Sequence, residues 1–266
     1  LPAMDIASLF SLEGRVALVT GGSRGIGLMI AEGFIAAGCA RVYICARKPG
    51  ELEEARAVLG ERAVALEADL STLEGIEALA GEIAAREDRL DILVNNAGAA
   101  WGAPFDDFPE SGWDKVMDLN LKAPFFLTQK LHPLLKAAAS AGRPAKVIHI
   151  ASIDGRKVNP WETYPYQASK AGLIHLTRRM AARLVGEHIH VTAIAPGAFP
   201  SSMNKAARDG ADALAGVIPS GRVGAAEDMA GAAIYLASRA GDYVVGDTIT
   251  VDGGLVHGAV GTSIDG

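Results

Sequence analysis

The stretch that most constrains this chain is Gly21-Gly22-Ser23-Arg24-Gly25-Ile26-Gly27, because of what stands on either side of it. Before it, Arg15-Val16-Ala17-Leu18-Val19-Thr20 is short, continuous and apolar, the pattern of a strand buried on both faces. After it, apolar residues recur with helical period from Ile26 to Ala37, and Gly38 supplies the stop. Strand, glycine turn and helix in that order predict a dinucleotide loop. Gly21 would make the tight turn, Gly25 would let the backbone approach a pyrophosphate, and Gly27 would let helix and sheet pack closely. The helix N-terminus would attract the phosphates. The spacing is Gly-x-x-x-Gly-x-Gly rather than Gly-x-Gly-x-x-Gly. A glycine cluster alone says little; its place between strand and helix gives it weight.

The alternation then continues along the chain. Strands are predicted at Arg41–Cys45, Ala63–Glu67, Asp91–Val94, Lys146–Ile150, Ile189–Ala195 and Thr248–Val251. Helices are predicted at Pro49–Leu59, Leu73–Arg86, Gly112–Leu135, Tyr164–Val185 and Glu227–Ala237. Residues 197–222 show no clean period and are expected to form a substrate lid. Strands alternating with helices imply an α/β fold, a doubly wound parallel sheet (Rossmann fold) of about seven strands with helices on both faces. Half of the 266 residues are hydrophobic, enough for one sizeable core. No linker or repeat divides the chain, so one domain over residues 1–266 is expected.

Composition narrows the function. A net charge of −6 without a basic stripe argues against nucleic acid or an anionic membrane as the main partner. Cys39 and Cys45 lie in apolar stretches and are expected to be buried thiols in a reducing compartment. There is no signal-like segment and no bilayer-length apolar run, so the expected location is cytoplasmic. Leu1 is not an initiator Met, which predicts a trimmed N-terminus. No His/Cys/Asp/Glu cluster has metal-ligand spacing, so no metal is expected.

Tyr166-x-x-x-Lys170 puts a phenol and an ammonium one turn apart on one helix face. A free phenol titrates near ~10, and a fixed ammonium beside it favours the phenolate. Tyr164 is the internal control, since four residues on from it stands Ala168. A Ser-His-Asp triad from Ser152, His149 or His175 and Asp154 is disfavoured: no Gly-x-Ser-x-Gly elbow surrounds Ser152, and His149 reads as a core residue of a strand. Asn95 reads as a structural tie between neighbouring strands, and Arg178-Arg179 as a solvated helix face.

The end of the second strand decides between the two nicotinamide dinucleotides in such a sheet, because a carboxylate there bonds the ribose 2′-hydroxyl and repels a 2′-phosphate. Here it reads Cys45-Ala46-Arg47-Lys48, with no acid. Arg47 offers a planar fork for phosphate oxygens and Lys48 a point charge. Arg24 and Ser23 of the glycine loop would lie near the same phosphate, and Asp69 would meet the adenine. The expected cofactor is NADP(H).

Taken together, Thr20–Gly27, Asn95-Asn96-Ala97-Gly98, Asn120, Ser152, Tyr166-x-x-x-Lys170 and Pro196-Gly197 resemble the short-chain dehydrogenase/reductase family, in its order and over nearly the whole chain. Trp101-Gly102, Ser111-Gly112-Trp113, Leu184-Val185-Gly186-Glu187-His188 and Phe199-Pro200-Ser201 resemble its bacterial NADPH-dependent 3-oxoacyl reductases, the rhamnolipid-type branch. The resemblance implies a catalytic set of Asn120, Ser152, Tyr166 and Lys170. Tyr166 would be the general acid/base, and Ser152 would bond the substrate carbonyl. Lys170 would lower the tyrosine pKa and hold the nicotinamide ribose, and Asn120 would keep a relay water. The implied cofactor contacts are Gly21, Ser23, Arg24, Gly25, Ile26, Gly27, Arg47, Lys48, Asp69, Leu70, Asn96, Ala97, Gly98, Tyr166, Lys170, Pro196, Gly197, Phe199 and Ser201. Ser201 stands where many members carry Thr, and Pro124 interrupts the family's long helix. That proline cannot donate to the Asn120 carbonyl four residues back, which predicts a kink and a free carbonyl for the water.

The implied activity is an oxidoreductase moving a hydride between NADP(H) and a ketone or secondary alcohol. The apolar lid residues Phe199, Met203, Leu214, Val217 and Ile218 suit a hydrophobic or 3-oxoacyl ketone, or else they simply pack the lid down. The alternatives are a non-catalytic NADP(H)-binding regulator and a reductase of sugars or steroids. The small-molecule substrate would be the main partner besides further copies of the chain: helices Gly112–Leu135 and Tyr164–Val185 carry apolar residues on several sides, and the family pairs them into homotetramers or dimers.

Overall fold

The computed structural model describes residues 4–201, 207 and 209–258. Seven strands form one parallel sheet: β1 Val16–Thr20, β2 Arg41–Ala46, β3 Ala63–Glu67, β4 Ile92–Asn95, β5 Ala145–Ile150, β6 Ile189–Pro196 and β7 Thr248–Val251. Their order is β3-β2-β1-β4-β5-β6-β7. Val19 sits in register with Ile44 of β2 on one side and Val94 of β4 on the other. The chain leaves β1 in one direction to build β2 and β3, then returns to β4 and builds outward the other way. A crevice therefore opens between the C-terminal ends of β1 and β4, where ligands bind in open α/β sheets.

Alternation along β1 shows why so apolar a strand is needed. Ala17 and Val19 join a core under α2 (Gly25–Ala36), α3 (Pro49–Leu59) and α9 (Ala226–Ala237), which includes Phe34, Leu52 and Leu236. Val16 and Leu18 join the opposite core under α4 (Leu73–Ala84), α6 (Ala123–Ala138) and α7 (Tyr164–Leu184), which includes Ile83, Leu131 and Met180. Each fully buried Leu, Val or Phe contributes about 1.5–3 kcal/mol. Both cysteines are free and buried, and burial pushes each thiol up to about 12. Among the described residues no helix is long and apolar enough to cross a membrane.

The structure departs from the sequence expectations in three places. Before β1, where no element is expected, the chain holds a short helix, α1 (Ile6–Phe10), whose first N–H groups are capped by the Asp5 carboxylate. The expected helix Gly112–Leu135 is instead α5 (Glu110–Met117), a π-turn (Asp118–Lys122) and α6. At the junction the Ala123 N–H reaches back five residues to the Asp118 carbonyl. Pro124 has no N–H, so the turn widens there rather than continuing as α. Asn95 ties β4 to a helix, not to a strand: its Nδ2 donates to Thr128 Oγ1 at 3.2 Å. Within 197–222 the described residues include a short helix, α8 (Ala211–Ala215); Met203 lies outside them.

Candidate active site

A cavity of about 830 Å³ opens at the C-terminal ends of the strands. Its floor is fixed by a latch between β1 and β4. Thr20 Oγ1 accepts from the N–H groups of Asn96 and Ala97, both at 2.9 Å. Asn96 Nδ2 returns the bond to the carbonyls of Thr20 and Gly21, at 2.9 and 3.1 Å. Gly21 and Gly25 both adopt positive φ, 64° and 53°, where glycine is unstrained. Gly27 does not line the cavity. A Cβ there would come within 2.2 Å of the Gly21 carbonyl and 2.5 Å of Asn96 Nδ2, so it acts by letting α2 press against the latch.

No side chain caps α2, so its first-turn amides and positive end face the cavity mouth unclaimed by side chains. Ser23, Arg24, Gly25 and Ile26 line this end, followed by Arg47, Lys48, Asp69 and Leu70. The donor set suits a phosphate-bearing dinucleotide: loop amides, three cations and an apolar shelf. Asp69 accepts from the N–H and hydroxyl of Ser71 at 3.0 and 2.7 Å. Glu51 was not singled out from the sequence. It lines the cavity and takes both Arg24 (2.7 Å) and Lys48 (2.9 Å) on the same oxygen, and the Lys48 bond holds its carboxyl below the usual range. The signal was available as Lys48-x-x-Glu51, an i, i+3 pair at the start of a helix.

Farther in, Asn96, Ala97, Gly98, Pro196, Gly197, Phe199 and Ser201 line the wall with Ser152, Tyr166 and Lys170. Phe199 is itself a core residue, its side chain packed with the α2–α9 cluster. Lys170 is buried, donates from Nζ to the Ile150 carbonyl at 2.7 Å, and sits 5.6 Å from the centre of the Tyr166 ring. Burial lowers its ammonium to about 8, against the opposing pull of Asp154. Tyr166 moves opposite to the expectation from spacing. Burial raises its phenol to about 12; the Ser152 hydroxyl pulls it down and Asp154 pushes it up. Lys170 spends a hydrogen bond on backbone rather than on the phenol, so it does not offset that burial. Asp154 lines the cavity, and its charge acts on both groups. Sequence reasoning had set it aside with the triad.

Asn120 does not line the cavity. Its side chain is consumed as a strut, accepting from Ala99 N (2.8 Å) and donating to Ala99 O (2.9 Å) and Ser169 Oγ (3.1 Å). It stands inside the π-turn that precedes Pro124. His149 is core: its Nδ1 pairs with Thr177 Oγ1 at 2.9 Å, and burial lowers its pKa to about 3. Tyr164 points away, its hydroxyl on Glu162 at 2.9 Å and its ring edge-on to Phe105 and Phe108.

The family model described as enoyl-(acyl carrier protein) reductase matches residues 21–256. The chain is 49% identical over 251 residues to the rhamnolipids biosynthesis 3-oxoacyl-(acyl-carrier-protein) reductase of Pseudomonas aeruginosa, covering 92% of this chain and 98% of that protein. It is 40% identical over 252 residues to the 2-dehydro-3-deoxy-D-gluconate 5-dehydrogenase of Escherichia coli, covering 94% and 98%. The solved Pseudomonas aeruginosa RhlG/NADP active-site complex superposes with a TM-score of 0.89 at 47% identity, over 94% of this chain and 99% of that one.

Proposed function

Because this chain belongs to the short-chain dehydrogenase/reductase family, we propose that it is an NADP(H)-dependent reductase of a hydrophobic ketone, with a 3-oxoacyl thioester as the favoured class. NADPH, when bound, supplies the hydride. Tyr166 gives the carbonyl oxygen its proton, Ser152 bonds the same oxygen, and Lys170 holds the ribose and passes protons inward. The Asn120 backbone carbonyl, freed by Pro124, holds the water that recharges Lys170. Arg47, Arg24 and Lys48 receive the 2′-phosphate, with Ser23 beside them, and Asp69 meets the adenine. The observation that carries the reading is the convergence of Tyr166, Ser152 and Lys170 on one wall of a cavity whose other end holds those three cations.

The substrate end supports a hydrophobic chain. Leu119, Ile153, Val158, Trp161, Leu214, Val217 and Leu255 line it. Of the predicted lid residues, Phe199 and Ile218 are buried in packing, so they hold the segment down, while Leu214 and Val217 face the cavity. Segment 197–222 serves as the lid of a single catalytic domain. A sugar-acid ketone is the second reading, favoured by the polar wall groups Asp154 and Asn159 and by the gluconate-acting relative.

The protein also assembles as a homotetramer through a groove lined by Met117, Leu121, Phe125, Phe126 and Leu176, where Phe125 is exposed. Light scattering at micromolar concentration tests this, a monomeric mass counting against it. NADPH oxidation with 3-oxoacyl thioesters, aliphatic ketones and keto-sugar acids tests the rest. Turnover confined to keto-sugar acids would replace the substrate class, and no turnover with any ketone would remove the activity.

A further inference from the structure

The corner that receives the 2′-phosphate already holds an anion. One oxygen of Glu51 takes Arg24 at 2.7 Å and Lys48 at 2.9 Å. The two cations are 54% and 69% exposed, but the carboxylate is only 27% exposed. They are freer to move than Glu51, which stands in the first turn of α3 behind Pro49 and Gly50. Arg47 completes the corner, is exposed and lines the same cavity.

We propose that Glu51 is an internal competitor for the 2′-phosphate and so sets how strongly the enzyme prefers NADPH over NADH. This rests on the phosphate placement proposed above. A phosphate monoester carries more charge than a carboxylate and offers three acceptor oxygens. It can draw Arg24 and Lys48 off Glu51, but only by breaking both bonds and then lying beside the carboxylate they leave. NADH, with a 2′-hydroxyl, makes no such demand and leaves the pairs intact. Glu51 therefore taxes NADPH alone. It also neutralises part of a three-cation corner, which limits capture of other anions. With its carboxyl held below the ordinary range by Lys48, it remains ionised throughout the neutral range.

The test is calorimetric titration of the wild type, Glu51→Gln and Arg24→Ala with NADPH and with NADH at low and high salt, without substrate. Glu51→Gln should bind NADPH about three- to tenfold more tightly, with NADH affinity unchanged and a steeper loss of NADPH affinity with salt. Arg24→Ala should weaken NADPH and spare NADH. Weaker or unchanged NADPH binding in Glu51→Gln, with the Arg24→Ala loss present, overturns the competition while leaving the phosphate placement standing. No NADPH effect in either variant overturns the placement and the proposal with it. Retained folding is checked by the NADH titration itself.

Discussion

The end of the cavity under the glycine loop is made from strand ends, whereas the end that faces the substrate is made from loops. In the first, Thr20 and Asn96 bond to each other's backbones, and the buried Lys170 donates to the Ile150 carbonyl. In the second, Val158, Trp161 and Val217 are exposed, and the loop is held by long reaches such as Lys157 Nζ to the Leu255 carbonyl at 2.7 Å. A buried polar group without a partner is costly, so the first end admits few arrangements. The second is held by apolar contact and a handful of exposed bonds, so its side chains can change with little penalty. One chemistry and many substrates is the behaviour such a division allows.

The largest expected effect breaks the comparison at its chemical centre. Tyr166→Phe should cost about 10²–10⁴ in turnover while NADPH still binds. Tyr164→Phe, two residues away but turned to solvent, should stay within about twofold. Equal losses in steady-state assays of the two would remove Tyr166 from its role. Next, Gly27→Ala should destabilise the fold by about 1–3 kcal/mol and weaken NADPH binding, because the methyl group meets the latch. Denaturant unfolding and titration read both, and unaltered binding would show that the loop end is not rigid. Smaller again, Leu214→Ser with Val217→Ser should raise KM for a long-chain ketone about three- to tenfold and leave kcat unchanged. A fall in kcat instead would mean that the two ends are coupled.

A separate effect concerns pH. His149 has a folded pKa of about 3 against an ordinary 6.5. Below 6.5 the unfolded chain takes up a proton that the folded chain refuses. Stability present above that pH is therefore lost as pH falls towards about 3. His149→Leu should flatten the slope of stability against pH in that window, which chemical unfolding at stepped pH measures.

The same division explains what could be read from the sequence. Parallel strands buried on both faces leave continuous apolar runs, so Val16–Thr20 and Ala145–Ile150 were visible within a residue or so. The residues on their ends, Gly21, Asn96 and Ser152, came with them. Pairings across space left no such mark. Nothing in the sequence links Asn95 to Thr128, or Asn120 to Ala99 and Ser169. The rise of the Tyr166 pKa was missed because it comes from desolvation of a half-buried side chain, which spacing does not report. Periodicity saw one helix at 112–135 because a single widened turn barely disturbs an apolar pattern.

That widened turn makes the placement of Asn120 a matter of counting residues. A π-turn holds one residue more than an α-turn, and each residue of an α-helix advances about 100° around the axis. Deleting one residue from Asp118–Lys122 would remove that extra residue while Pro124 stays in place. Either α5 or α6 would then have to rotate by that angle. Leu127, Leu131 and Leu135 anchor α6 in the core, so the rotation would fall on the segment carrying Asn120. Single-residue deletions here should therefore be tolerated by the fold far better than by the reaction, while substitutions on the outer face of the same turn pass unnoticed by both.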